Sequence, residues 1–281
     1  MNLNEQQKKS IEHFNGPCLV VGTPGSGKTR VITERVKYLV KEKGVKNTNI
    51  LVITFTKAAA VQMKKRYEAM VSGDAKRVYF GTFHAIFFTI LKYAYHYTAD
   101  NIIRDDVKRQ LLRELANNEE IEMQDENDFL NELVSEISKV KGEMLDLRHY
   151  YSPNCPGESF RRIYSGYQSI LESRKLIDFD DMLVYCYELL KAREDIRQMW
   201  QRQYPYILID EFQDINKVQY DIVKMLASPK NNLFIVGDDD QSIYGFRSAD
   251  SSIMLNFKKK FKDATKFTLS TNYRSGKKIV E

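Results

Sequence analysis

Gly22-Thr23-Pro24-Gly25-Ser26-Gly27-Lys28-Thr29 fits the pattern G-x-x-x-x-G-K-[ST], the phosphate-binding P-loop. Residues 17–21 before it are apolar and strand-like, and residues 30–40 after it have helical spacing. A strand, a tight loop and a helix in that order aim successive backbone N–H groups and a helix N-terminus at one anion. Gly22, Thr23, Pro24, Gly25, Ser26 and Gly27 then form a cradle. Lys28 reaches the β- and γ-phosphates of a nucleotide, and the Thr29 hydroxyl ligates Mg²⁺.

Working outward, short β-rich runs recur at 50–55, 78–83, 206–210 and 233–237, each followed by a helical stretch (58–70, 85–97, 218–226 and 251–261). Residues 266–269 read as a last strand. Such alternation predicts an α/β fold with a parallel sheet covered on both faces, its site at the C-terminal ends of the strands. The alternation stops between about 100 and 174, where helices are predicted at 105–115, 128–140 and 159–173. Pro153, Pro156 and Gly157 break the segment 150–157. Strands resume near Tyr206, and no element is assigned between 174 and 206. Strands on both sides with matching chemistry favour a helical subdomain inserted into one α/β domain over two consecutive domains.

Residues 206–209, an apolar run, end in Asp210-Glu211. A buried strand that delivers two carboxylates supplies what a P-loop lacks alone. Asp210 would hold Mg²⁺, directly or through water, and Glu211 would orient and deprotonate an attacking water. The strand at 233–237 leads into Asp238-Asp239-Asp240-Gln241. Gln241 suits a sensor of the γ-phosphate, while the three acids also fit a solvated turn.

Composition narrows the function classes. The 281 residues carry 43 Lys+Arg against 38 Asp+Glu, a net charge of +5 that permits a nucleic-acid partner without requiring one. Seventeen Tyr and 15 Phe leave aromatic surplus for base stacking. Cys18, Cys155 and Cys186 are scattered, which fits neither a disulfide framework nor a zinc site and suits a reducing compartment. The polar N-terminus does not read as a secretory signal, and no run of about 18 apolar residues spans a membrane.

Taken together, GTPGSGKT (22–29), ITFTKAAAVQM (53–63), GTFH (81–84), IDFDD (177–181), IDEFQD (209–214), VGDDDQSIYGFR (236–247) and NYRS (272–275) resemble the first half of the UvrD/Rep/PcrA-type superfamily-one DNA helicases. The resemblance implies a RecA-like P-loop motor domain (1A) over 1–90 and 176–281, with a helical subdomain (1B) inserted at 91–175. It implies ATP and Mg²⁺ as cofactors and 3′–5′ movement along single-stranded DNA with strand separation.

By position, Gln7 resembles the glutamine that reads the adenine edge, and Tyr273 the residue that stacks on the base together with Arg30. Arg274 resembles an arginine on the γ-phosphate. Gln241 and Arg247 resemble residues that couple nucleotide state to DNA. The DNA positions are Thr54, Phe55, Thr56, Thr82, His84, Tyr244, Phe246 and Arg247. Aromatics on loops stack on bases without reading sequence, and hydroxyls with Lys57 meet phosphates. The pattern departs from the family at Phe246, where many relatives carry tryptophan, at Gly245, where a bulkier residue is frequent, and at Ala58 and Val61, where basic residues are frequent.

The family also has a second RecA-like domain. Its expected place is after Glu281, so this stretch alone is expected to hydrolyse ATP weakly and to unwind nothing. Expected partners are single-stranded DNA and single-strand/duplex junctions, with repair or replication proteins as the protein class. The expected state is a monomer in the cytoplasm, away from membranes. Two other readings stay open at this point: the helicase part of a helicase–nuclease subunit, and a regulatory P-loop module that binds nucleotide and protein but no DNA.

Overall fold

The computed structural model describes residues 3–73, 77–121, 125–238 and 251–273. The chain divides into two compact units, Met1–Ile86 with Leu190–Glu281, and Phe87–Leu189.

In the first unit, β1 (Cys18–Gly22), β2 (Ile50–Thr54), β3 (Tyr79–Thr82), β4 (Tyr206–Ile209), β5 (Leu233–Gly237) and β6 (Thr265–Leu269) form one sheet in the order β3-β2-β4-β5-β1-β6. All neighbouring pairs run parallel. Every position of β1, β2 and β5 is buried. Burial on both faces explains why these strands are continuous apolar runs rather than alternating ones. The predicted α/β parallel sheet is therefore the observed fold.

β4 and β5 fill the space between β1 and β2, so Val20 pairs with Val236 and Val52 with Leu208. That topology carries the P-loop and the two later carboxylate segments to the same strand ends. Flanking the sheet are α1 (Glu5–Glu12), α2 (Lys28–Lys41), α3 (Lys57–Glu68), the start of α4 (Phe83–Tyr95), α9 (Glu194–Gln203) and α10 (Lys217–Ala227). Val31, Ile32, Val36 and Leu39 of α2 pack with Val20, Val52, Leu208, Phe234 and Val236 in one continuous core.

The second unit is helical. It holds α5 (Asp105–Asn118), α6 (Glu126–Glu143), α7 (Gly157–Ser173) and most of α8 (Phe179–Ala192). Leu112, Leu133, Ile137, Phe160, Ile163, Tyr167 and Leu171 are its core. The IDFDD stretch supplies a buried polar network here. Asp178 Oδ2 accepts from Lys108 Nζ at 3.1 Å, Lys141 Nζ at 2.9 Å and the Tyr167 hydroxyl at 3.0 Å. Lys141 Nζ also lies 2.7 Å from Asp181 Oδ1. Buried charges persist only when paired and hydrogen-bonded, and this group is both.

Two details differ from the sequence reading. The helix expected at 251–261 is two short helices, α11 (Ser251–Leu255) and α12 (Phe257–Lys260), separated at Asn256. Helices α8 and α9 occupy the stretch left unassigned, although Met182, Leu183, Cys186, Leu189 and Leu190 carry helical spacing and are buried. Among the described residues no helix is long and apolar enough to cross a membrane, and Cys18, Cys155 and Cys186 are free thiols.

Candidate nucleotide and nucleic-acid site

The loop between β1 and α2 is a tight turn in which Ser26 N–H donates to the Thr23 carbonyl at 3.1 Å. Two glycines are required by geometry. A Cβ on Gly22 would lie 2.5 Å from Ser26 Oγ, and Gly27 has φ +89° with its Cβ position 3.0 Å from Gln7 Nε2. Ser26 is buried, and its hydroxyl finds no hydrogen-bond partner among the described residues. An orphaned buried hydroxyl in a glycine-rich turn at a helix N-terminus fits an anion.

Lys28, first residue of α2, is folded into the site. Its ammonium donates to the Gly22 carbonyl at 2.8 Å and meets Asp238 Oδ2 at 3.1 Å. Asp238 follows β5 and is fully buried, so it is not part of a solvated turn. From Asp238 a polar chain runs across the strand ends. Asp238 N–H donates to Gln213 Oε1 at 3.0 Å, Gln213 Nε2 to Glu211 Oε2 at 2.8 Å, and Glu211 N–H to Asp210 Oδ1 at 3.1 Å. Glu211 itself sits in the left-handed region at φ +51°, a strained placement for a residue with a Cβ and one typical of functional sites. Burial, and then the charge of Glu211, push the Asp210 carboxyl up to about 7. A buried carboxylate so destabilised gains from a nearby cation.

Thr29 is half-buried in the first turn of α2. No cluster of three His, Cys, Asp or Glu among the described residues could hold a metal. Mg²⁺ needs no such cage, because it binds through one or two carboxylates and the nucleotide's own phosphates. The hydroxyl of Thr29 and the carboxyl of Asp210 are hard oxygen donors of that kind.

Gln7 and Tyr273 both reach the P-loop. Gln7 is buried, with Nε2 donating to the Ser26 carbonyl and Oε1 accepting from Asn4 N–H, each at 3.0 Å. Tyr273 N–H donates to the Gly25 carbonyl at 2.9 Å, and its hydroxyl accepts from Asn4 Nδ2 at 2.8 Å. The residue is 39% exposed. Arg30 is half-buried two residues after Lys28. Asn4 emerges from the structure alone: as N-cap of α1 it ties Gln7 to Tyr273.

A second set of residues lies at the ends of β2 and β3, whose last residues Thr54 and Thr82 are register partners. Phe55 is half-buried and packs edge-on against Phe83 with centroids 5.6 Å apart. Phe83 is core. Thr56 caps α3, accepting from Ala59 N–H at 3.1 Å, and Thr82 accepts from Ala85 N–H at 3.2 Å. A hydroxyl that accepts from a cap amide keeps its own proton to donate. Thr54 is buried and spends that proton on the Thr56 carbonyl at 3.0 Å, so its side chain shapes the turn rather than facing outward. His84 is half-buried. Asp210 N–H donates to the Ile53 carbonyl at 3.0 Å, so the carboxylate pair and the Phe55 turn grow from hydrogen-bonded neighbours. Gln241, Tyr244, Phe246, Arg247 and Arg274 lie outside the described residues.

A family model described as the UvrD/REP helicase N-terminal domain matches residues 3–262. The chain is 37% identical over 295 residues to the "Putative ATP-dependent DNA helicase YjcD" of Bacillus subtilis (strain 168), covering 100% of this chain and 37% of that protein. It is 35% identical over 295 residues to the ATP-dependent DNA helicase PcrA of Staphylococcus aureus (strain NCTC 8325 / PS 47), covering 99% of this chain and 39% of that protein. To the PcrA of Leuconostoc citreum it is 36% identical over 290 residues, covering 99% of this chain and 38% of that protein. The chain thus spans less than two fifths of the length of each of these relatives.

Proposed function

Because this chain belongs to the UvrD/REP helicase N-terminal domain family, we propose that it is the ATP-binding motor half of an ATP-dependent DNA helicase. The observation that carries the proposal is the junction of two half-sites at one edge of the sheet. The P-loop with Lys28, Asp210, Glu211 and Asp238 occupies the ends of β1, β4 and β5. Phe55, Thr56, Thr82 and His84 occupy the ends of the adjoining β2 and β3.

On this reading the amides of the Gly22–Thr29 loop and the Lys28 ammonium bind the triphosphate. Thr29 and Asp210 hold Mg²⁺, whose charge steadies the phosphates as charge shifts in phosphoryl transfer. Glu211 holds and deprotonates the attacking water. Gln7 reads the adenine edge, and Tyr273 with Arg30 stacks on the base. Gln241 and Arg274 complete the γ-phosphate contacts. Phe55 offers a base-stacking face and Thr56, Thr82 and His84 contact phosphates, joined by Tyr244, Phe246 and Arg247. Thr54 acts by holding the Phe55 turn.

The inserted unit is proposed as the accessory subdomain 1B. In the whole protein the motor would move 3′–5′ on single-stranded DNA and open duplex at single-strand/duplex junctions, in the cytoplasm, serving repair or replication partners. The present 281-residue stretch would bind nucleotide and single strand as a monomer without separating duplex.

Titration of a fluorescent oligothymidine into this chain, with and without Mg²⁺ and a non-hydrolysable ATP analogue, tests the reading. Binding that weakens with salt and shifts with nucleotide is expected. Oligothymidine affinity indifferent to nucleotide, or no binding in any condition, rejects it, as does duplex unwinding for the statement about this stretch.

A further inference from the structure

Arg35 lies two turns after Lys28 on α2 and is 2% exposed. Among the described residues no carboxylate pairs with it. Its guanidinium instead serves the C-terminal end of α1. Nη1 donates to the carbonyls of Ser10 at 3.4 Å, Ile11 at 3.0 Å and His13, and Nη2 to that of Phe14 at 3.4 Å. Its Cζ lies over the Phe234 ring on β5, 4.3 Å from the centroid. Burial pulls the guanidinium down to about 10, which leaves it charged at neutral pH.

The last carbonyls of a helix lack partners within it and carry its negative end, so a buried cation there satisfies both needs at once. The other end of α1 carries Asn4 and Gln7, which touch Tyr273 and the Ser26 carbonyl. An eight-residue helix does not hold itself in water, so its position is set by what grips it. Arg35 grips one end, and the nucleotide site meets the other.

We propose that Arg35 is the positioning residue for base selectivity: by fixing α1 at its C-terminal end it sets where Gln7 presents its amide. The proposal rests on the reading of Gln7 as the group that meets the adenine edge. The hydrogen bonds of Arg35 go to carbonyls at the end of α1 and none to the P-loop, so its loss is expected to weaken ATP binding while leaving the phosphate-driven share intact. The planar fork reaches four carbonyls on its rigid geometry, which a lysine ammonium does not reproduce.

The test measures dissociation constants of Mg-ATP and Mg-GTP by calorimetry on the full chain and on Gln7→Ala, Arg35→Lys, Arg35→Met and the Gln7→Ala/Arg35→Lys pair. Gln7→Ala is expected to lower the ATP-to-GTP preference about tenfold, the scale of one or two lost hydrogen bonds. Both Arg35 variants are expected to lower it by a similar factor with GTP affinity within about twofold, and the pair to add little to either single change. Should Arg35→Met fail to fold, Arg35→Lys decides. Equal loss of ATP and GTP affinity in Arg35→Lys, or full additivity in the pair, overturns the proposal. A preference unchanged in Arg35→Lys but lowered in Gln7→Ala overturns it while leaving the reading of Gln7 intact. A preference unchanged in Gln7→Ala removes that reading, and with it the route through which Arg35 is proposed to act.

Discussion

Lys28 and Asp238, 210 residues apart in sequence, form a buried ion pair with Nζ 3.1 Å from Oδ2. The lysine proposed to meet phosphate is thus already paired with a carboxylate from the end of β5, and on that proposal a triphosphate would compete with Asp238 for the same ammonium. Lys28→Ala should remove nearly all nucleotide binding. Asp238→Asn leaves the buried ammonium with neutral acceptors, the Gly22 carbonyl and an amide oxygen, and no counter-charge among the described residues. Removing one partner of a buried pair costs about 3–5 kcal/mol, so the melting temperature should fall without nucleotide and recover more than wild type does on adding it. Melting curves with and without ATP decide; equal ligand-induced shifts in the two proteins would refute competition.

Asp210 provides a pH signature. Its carboxyl is pushed from an ordinary value up to about 7 in the folded protein. The folded state therefore binds more protons than the unfolded chain between the two values, and stability falls as pH rises through about 7. Asp210→Asn should raise metal-free stability most at pH 8 and by clearly less at pH 5, nearer the ordinary carboxyl value, while abolishing Mg²⁺-dependent hydrolysis. Denaturant midpoints at the two pH values check the sign.

In the helical unit, Lys141 bridges Asp178 and Asp181. Burial raises the Asp178 carboxyl, but Lys141 and Lys108 outweigh it and hold it well below the usual carboxylate range. Burial and then the charge of Asp178 push Asp181 up to about 6. Stability from Asp178 is present at neutral pH and lost in acid, whereas the Asp181 contribution weakens as pH rises through about 6. Lys141→Met leaves two buried carboxylates with Lys108, bonded to Asp178, as their one remaining cation among the ion pairs described, and should cost about 3–5 kcal/mol at pH 7. The loss should shrink toward pH 5 as Asp181 takes up a proton. Urea unfolding at both pH values measures it.

Gly27 stands at φ +89° beneath Gln7. An alanine there is strained by about 1–3 kcal/mol and crowds the Gln7 amide. Nucleotide affinity should fall tenfold or more with the far-ultraviolet circular dichroism of the sheet retained. An affinity equal to wild type would show that the loop relaxes without cost.

Phe55→Ala removes the ring proposed as a stacking face at the end of β2. Single-strand affinity should drop by about 1–3 kcal/mol per lost base contact with unchanged slope of affinity against salt, since no phosphate contact is lost. Affinity equal to wild type at every salt concentration would instead place Phe55 outside the contact.

Much of the fold was decided locally. The residues from Cys18 to Val21, 50–53 and 233–236 are apolar at every position, and each run precedes a helical period, which is enough for a parallel sheet covered on both faces. The Gly22–Thr29 spacing likewise determined a strand–loop–helix, because turn glycines and a helix start are properties of neighbours in the chain. Partnership was not decided there. That Asp238 is a buried counter-ion and not a turn acid depends on β5 lying beside β1. That Asp178 and Asp181 meet Lys108 and Lys141 depends on three helices packing together, and that Arg35 holds α1 by its carbonyls depends on where α1 lands. A hydrophobic period says which face of an element is buried, but it does not say against what. Burial in turn removes water as an alternative partner and forces each charge to find one across the chain, so those choices belong to the tertiary structure alone.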